Sequence, residues 1–446
     1  MNHAYEEVNQ RFFKEKLEGS IDCMFQELSL HGQRVDLIYL KSICDTDKVH
    51  QMLVKPFFEI NEHRKFDSYV QSLDATKPFE TNHAALSDVL RGSVVLVGPF
   101  HTYVIDLKKY INQGVKDANV ETTIQGPQTA LSEDIAINMN LIRHRYHQPS
   151  LKIENEQVGS VLNMEVILIY DSNKVQPEIL QKIKEKIASI KNDNRIVQSP
   201  GEFHRLLTPK KRTLFPVYMI SERTDRIALN LSEGKVVLLI EGSPFALILP
   251  AVFFDFMSSM EDFYQPYWVS KFLLSLRYIG LFISLVLPGF YIGITSYNPE
   301  LFQVQLALGI AGSRAAVPYS SYLEVFFMLF MMELLTEASI RLPKSIGSTA
   351  TTVGGLILGT AATEAGLVSN IMIIIVSAVA ISNFVIPINE MSFAMRVMKY
   401  IIAVLATVTG LIGIVVGMLV LITYLIRLDS FGQPYLRLYF SEANKD

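Results

Sequence analysis

Cysteine is scarce in this chain, tryptophan nearly absent, and no catalytic signature is present. The 446 residues include two cysteines, Cys23 and Cys44. Neither has metal-ligand company, which points to a reducing compartment and to no bound metal or other cofactor. There is no Walker loop, no H-E-x-x-H, no glycine-rich nucleotide fingerprint after a strand and no nucleophile elbow, which argues against an enzyme. His101, His144 and His147 are scattered and read as surface or structural residues. No basic block stands out and the net charge is −4, so nucleic acid is not expected as a partner. Residues 1–30 contain no apolar run resembling a signal peptide, so the soluble part is expected in the cytosol.

Charge is scarce in one region only. From Leu273 to the end there are nine Lys/Arg and nine Asp/Glu, against 31 and 35 before that point. The first part therefore reads as soluble and the second as membrane. Three apolar stretches follow closely in the second: Ser345–Val368, Val368–Ile388 and Ile401–Ile426. Each has the roughly 20 mostly apolar residues that cross about 30 Å of hydrocarbon. The first is unusual in being rich in Gly, Ala, Ser and Thr, which let helices approach closely in lipid. Earlier spans are expected over Leu273–Thr295 and Tyr322–Ile340. Tyr264, Tyr267 and Trp268 form an aromatic belt at the entry. Leu301–Gly312 is too short to cross, and is either re-entrant or packed in the interface. Arg341/Lys344 and Arg396/Lys399 mark cytosolic loops by the positive-inside rule. Five alternating spans would then leave the C-terminal tail outside, although it carries Arg427, Arg437 and Lys445. The span count is left at four to six.

The soluble part alternates α and β. Val8, Phe12, Leu17, Ile21, Phe25 and Leu28 keep helical spacing and predict one or two helices, and Arg34–Ile43 predicts a strand. Asp45–Tyr69 is helical in composition. Arg91–Leu107 reads as strand, Gly-Pro turn, strand, and a similar pattern returns at Glu233–Leu249: Gly92 matches Gly234, and Val94-Val95-Leu96 matches Val236-Val237-Leu238. This suggests two related lobes. The same hairpin excludes Val236–Phe256 as a span, because Glu241, Gly242, Pro244 and Pro250 interrupt it. Leu131, Ile135, Met139 and Ile142 predict a helix capped by Ser132 or Asp134. Further strands are expected at Ser160–Tyr170, Leu214–Val217 and Ile227–Leu231, and a helix at Gln176–Ile190. The expected architecture is an α/β two-lobe cytosolic N-terminal domain (1–157 and 158–270), a helical multi-span membrane domain (271–428) and a tail (429–446).

Two groups in the membrane part could carry chemistry. Ser348, Thr352, Leu356, Thr360, Thr363 and Glu364 fall on one helix face at spacings of three and four. They either line a solute path or spend their hydroxyls on their own helix backbone. Glu324, Glu333 and Glu337 are costly in lipid and should face protein or water. Either they pair with Arg341 or Arg314, or they serve ion passage; Glu337 and Arg341 have the favoured order for a helical ion pair. Gly354, Gly355 and Gly359 read as helix-packing positions.

The ordered motifs resemble the A-subunit family of bacterial spore germinant receptors. Gly126-Pro127, Glu133-Asp134, Asn138 and Leu141-Ile142-Arg143 match one family block, with Leu131 for the usual Phe and Gln125 and Gln128 for usual arginines. Phe215-Pro216, Glu222-Arg223 and Asp225 match a second block, with Ser221 and Thr224 substituted. Glu233-Gly234, Gly242-Ser243-Pro244 and Pro250 match the hairpin block, with Glu241 for Asp. Glu261-Asp262-Phe263-Tyr264 matches a further one. In the membrane part Ser313-Arg314, Val317-Pro318, Glu324, Glu337-Ala338, Arg341-Leu342-Pro343, Gly354-Gly355, Gly359 and Ala365–Ser369 fit, with Asn370 for Pro. The resemblance implies the spore inner membrane and two partners, a B-type nutrient-sensing membrane subunit and a C-type lipoprotein. It also implies a homo-oligomeric ring that conducts ions when nutrient binds. A non-conducting scaffold relaying the signal is the alternative. A secondary transporter is disfavoured, because no repeated or broken-helix pair is evident.

Overall fold

The computed structural model describes residues 2–30, 32–60, 62–109, 116–117, 121, 125–159, 164–192, 200–208, 213–342 and 344–437. The chain divides into two units. The first comprises Met1–Arg212, Val217–Pro250 and Ser430–Gln433; the second comprises Thr213–Pro216, Ala251–Asp429 and Pro434–Asp446.

The first unit begins with α1 (Asn2–Leu17), β1 (Cys23–Leu30) and β2 (Gln33–Leu40). Next come α2 (Thr46–Val49), a π-turn over His50–Val54, α3 (Lys55–Glu59), α4 (His63–Ser72), β3 (Thr76–Pro78), α5 (Asn82–Val89), β4 (Ser93–Val97) and β5 (Thr102–Asp106). The short pair β6 (Lys116–Asp117) and β7 (Thr129–Ala130) and the helix α6 (Ile135–Arg145) lead to a second lobe. That lobe holds β8 (Leu151–Val158), β9 (Met164–Asp171), α7 (Pro177–Asn192), α8 (Pro200–Leu207), β10 (Met219–Ser221), α9 (Thr224–Ser232), β11 (Val236–Ile240) and β12 (Ala246–Leu249).

Both lobes are five-stranded antiparallel sheets with one shared topology. The first runs β1-β2-β4-β5-β3 and the second β8-β9-β11-β12-β10. The repeat suspected from two hairpins thus extends to whole lobes. Its glycines do the same work twice. Gly92 (φ +100°) and Gly234 (φ +84°) open the central strands, and a Cβ at either would strike a backbone carbonyl, Ile43 O at 2.8 Å in one case and Lys174 O in the other. In β4, Val94 and Leu96 enter one core with Phe57 and Phe66, while Val95 and Val97 enter another with Phe13 and Leu86. The strand is buried on both faces, which is why it reads as an unbroken apolar run.

Several expectations are corrected. Gly19 (φ +86°) ends the first helix, so Phe25 and Leu28 lie on a strand rather than a helix. Ile227–Leu231 belongs to α9, and Leu214–Val217 forms no strand. The edge strand β8 begins seven residues before the expected start of the second lobe at 158. Of the two cap candidates for α6, the structure selects Asp134, whose carboxylate accepts from the Ala136 and Ile137 amides at 2.7 and 3.3 Å.

The second unit is helical: α10 (Tyr267–Tyr297), α11 (Val304–Arg314), α12 (Ser321–Arg341), α13 (Lys344–Glu364), α14 (Asn370–Phe384), α15 (Asn389–Thr409) and α16 (Leu411–Arg427). Its core joins Tyr291, Val325, Leu329, Met372, Val376 and Ala403. Large apolar side chains also cover its outside, among them Trp268 (82% exposed), Phe272, Ile374, Ile381, Phe384, Val408, Ile412, Val415, Leu419 and Ile426. Soluble surfaces rarely tolerate so much contiguous apolar area. Among the described residues, α10 and α15 alone are long and apolar enough to cross a membrane; α14 and α16 are apolar but only 15 and 17 residues long.

The expected single span Ile401–Ile426 is a hairpin instead. Gly410 (φ +66°) breaks it into α15 and α16. Gly413 and Gly417 let the two helices close on each other: a Cβ on Gly417 would lie 3.1 Å from Ile402 Cγ1.

Candidate functional site

In the first unit, the family-type motif residues form buried polar clamps. Asn138 holds the turn before α6 by two bonds to Ser132, accepting from its amide at 2.7 Å and donating to its carbonyl at 2.8 Å. Arg143, on the same helix, reaches Asp22 in the first lobe: Nε and Nη2 donate to the carboxylate at 2.9 and 2.8 Å, and Nη2 also donates to Ser20 Oγ at 2.8 Å. Asn140 donates to the Ser42 carbonyl at 2.8 Å. The linker helix is thus fastened to the first lobe by side chains that are fully buried. Burial alone would raise the Asp22 carboxyl, but the Arg143 guanidinium and the Ser20 and Ser42 hydroxyls outweigh it and hold it below its usual range.

At the start of α9, Arg223 pairs with Asp225 (Nη2 to Oδ2, 2.8 Å) and Arg226 with Glu121 (2.7 Å), while Glu222 accepts from the Glu121 amide at 3.1 Å. For Asp225 burial again opposes ionisation, and Arg223 overcomes it. Stability from depressed carboxyls is present above their unfolded values, near pH 4, and is lost as pH falls through the folded ones. The melting temperature should therefore drop as pH falls below about 4, and an Arg143→Met chain should show a shallower drop. Gly242 (φ +73°) donates from its amide to the Glu133 carbonyl at 3.3 Å; Gly126, Pro127, Glu133 and Pro244 lie at or near the surface. Burial pushes Cys23 and Cys44 up to about 12, so both stay thiols at neutral pH.

In the second unit all three carboxylates have cationic partners. Glu324 is buried: Oε1 accepts from the Ser369 amide and hydroxyl, each at 2.6 Å, and Oε2 faces Arg314 Nε at 3.3 Å and Tyr291 OH at 3.4 Å. This ties α10, α11 and α12 to the capped start of α14. Glu337 pairs with Arg341 one turn on, at 2.6 Å and largely exposed. Glu333 pairs with neither Arg314 nor Arg341. Arg396 grips one of its oxygens, and Lys399 donates to the other at 3.2 Å. Sequence reasoning used Arg396 and Lys399 only as markers of a loop. Their separation of three places them on one face of α15, a signal for a shared partner that was available. These three residues sit in a cleft of about 380 Å³ walled by α12, α14 and α15.

On α13, the side chain of Ser348 lies outside the described residues. Thr352, Leu356 (68% exposed), Thr360 and Glu364 form an exposed stripe, with Thr363 half-buried beside it. Thr360 donates to the Leu356 carbonyl at 3.0 Å and Thr363 to the Thr360 carbonyl at 2.8 Å. Gly354 and Gly355 face Leu335 of α12, whereas a Cβ on Gly359 would meet nothing within 4 Å. Gly366 (φ +64°) ends the helix, which leaves Glu364 exposed in its last turn.

The family model for "Bacillus/Clostridium GerA spore germination protein" matches residues 11–446. The chain belongs to the GerA spore germination protein family. Relatives with similar sequences span most of it. Spore germination protein A1 of Bacillus subtilis is 32% identical over 416 residues, 92% of this chain and 86% of that protein. Spore germination protein GerLA of Bacillus cereus is 31% identical over 433 residues, 95% of this chain and 87% of that protein. The uncharacterized membrane protein YfkQ of B. subtilis is 30% identical over 427 residues, 94% and 83% respectively. A crystal structure of the N-terminal domain of the A subunit of the Bacillus megaterium spore germinant receptor GerK3 aligns with 55% of this chain and 95% of that one, at 21% identity and a TM-score of 0.41. Within this GerA-family chain, the motif residues Asn138, Arg143, Arg223 and Asp225 act as buried clamps rather than as an open binding surface.

Proposed function

We propose that this chain is the A-type membrane subunit of a spore germinant receptor and that it starts germination by passing monovalent cations. Copies assemble side by side through the cytosolic lobes, and α13 of each copy faces a common path. A B-type nutrient-sensing subunit supplies the signal, and a C-type lipoprotein completes the complex.

The observation that carries this reading is the exposed stripe of α13. A hydroxyl-bearing face turned outward from a membrane bundle is costly against hydrocarbon and favourable against water or another copy. The Thr360 and Thr363 protons are spent on backbone carbonyls, which leaves hydroxyl oxygens to solvate a weakly hydrated cation.

Topology supports the same reading. If α10 and α12–α16 all cross, the break at Gly410 makes six passages. Arg277, Arg341, Arg396, Lys399 and Arg427 then all fall toward the cytosolic side, as the positive-inside rule asks. The return of Ser430–Gln433 into the first unit, where Ser430 Oγ donates to the Val217 carbonyl at 2.7 Å, fits an inside C-terminus. On this reading of six passages the tail lies inside, not outside as five spans would have it.

The test is cysteine accessibility. In a chain with Cys23 and Cys44 replaced by Ala, Thr360→Cys should react with a membrane-impermeant thiol reagent in spores exposed to nutrient. Protection in both resting and germinating spores would remove α13 from a water path. The scaffold alternative draws on a specific observation too: Glu324, Glu333 and Glu337 each already have a cationic partner.

A further inference from the structure

The cleft between α12, α14 and α15 holds more positive charge than its own carboxylate neutralises. Glu333 is the sole acidic residue among the described lining residues, and it faces both Arg396 and Lys399. Lys399 is 2% exposed and gives Glu333 a single hydrogen bond from an ammonium that has three to offer. One net positive charge is therefore held beside a cavity of about 380 Å³. Burying an unneutralised charge in an apolar bundle is expensive. An anion entering the cleft would offset that cost.

The rest of the lining says what kind of anion. Leu329, Val376, Val379 and Ile386 make an apolar wall, and Phe384 (75% exposed) and Phe393 (48% exposed) stand at the outside of the bundle. Ser392 and Asn389, at the start of α15, add polar groups near the cations. A cleft lined by two cations, by polar groups and by aliphatic walls, with exposed Phe393 against the Arg396 guanidinium, matches an amphiphile rather than a free ion.

We infer that this cleft binds an anionic membrane lipid, its phosphodiester on Lys399 and Arg396 and one acyl chain along Val376, Val379 and Phe384. The inference rests on the helical unit lying in a bilayer and is independent of whether the protein conducts. Lipid occupancy would set how firmly α12 is held to α15, since the phosphate competes with Glu333 for the same two cations.

The test uses the full chain in neutral detergent, with retained lipid read by native mass spectrometry. The probes are phosphatidylglycerol, phosphatidylcholine and inorganic phosphate, and melting temperature is followed in parallel. Phosphatidylglycerol should be retained and should raise the melting temperature; the other two should do neither. Glu333→Gln, which frees both cations, should strengthen retention. The double variant Glu333→Gln/Lys399→Met orphans no acidic group and should weaken retention about tenfold relative to Glu333→Gln alone. Equal retention of phosphatidylcholine, equal stabilisation by inorganic phosphate, or retention unmoved by the double variant would each overturn the inference. Cation flux enters none of these readouts, so their failure is distinct from failure of the conduction reading.

Discussion

Replacing Arg143 by Met should destabilise the two-lobe unit by about 3–5 kcal/mol, the usual cost of stranding one member of a buried ion pair. The stranded member is Asp22, which is 4% exposed and would keep only Ser20 and Ser42 as donors. Because Arg143 lies on the helix between the lobes and Asp22 in the first lobe, the loss should appear as loosened attachment of α6. Hydrogen exchange over 135–145 should rise before exchange in β4 or β11 does. The double change Asp22→Asn/Arg143→Met should recover a large part of the loss, because it removes the stranded charge as well. A single variant that melts within 1 °C of the parent would show that the clamp contributes nothing.

The second large effect is expected at Gly413. A Cβ there would strike the Leu405 carbonyl oxygen and lie 2.5 Å from both Leu405 C and Thr409 Oγ1. Backbone on the facing helix cannot step aside as the tip of a side chain can, so Gly413→Val should part α15 from α16. The cost should be at least the about 1–3 kcal/mol typical of overpacked sites. Gly312→Val is the control, since nothing lies within 4 Å of that position. Thermal unfolding in detergent should separate the two variants clearly. If both melt alike, the hairpin at Gly410 is not a close-packed pair.

The places where the sequence was readable share a physical cause. The β4–β5 and β11–β12 hairpins announced themselves because central strands buried on both faces leave unbroken apolar runs, punctuated by glycines that alone tolerate positive φ. The edge strand β8 was not read, because its half-buried face carries Lys152, Glu154 and Glu156, the last two paired with Lys184 and Lys191 of α7, while Asn155 and Gln157 are exposed, which dilutes the apolar alternation. The first helix was read too long because Ile21, Phe25 and Leu28 continue its spacing past Gly19, and spacing carries no record of a chain reversal. Gly410 went unread for the opposite reason: a hydropathy window averages over one glycine inside 26 apolar residues, yet its φ of +66° ends one helix and starts another.

The candidate sites divide in the same way. The hydroxyl stripe of α13 and the Glu337–Arg341 pair are local, and one helix of sequence contains them. Glu333 with Arg396 and Lys399, or Arg143 with Asp22, join positions 63 to 121 residues apart, which only tertiary structure brings together.

Conduction along α13 is tested most directly by potassium flux through the full chain reconstituted in liposomes with its B- and C-type partners. The account predicts nutrient-dependent flux, and at least a tenfold loss of it in Thr360→Leu and Thr363→Leu chains that melt like the parent, about the effect of removing one ion-solvating oxygen per subunit. Undiminished flux in both variants would take the path elsewhere. No flux from the well-folded parent complex would contradict conduction and leave a scaffold that relays the signal.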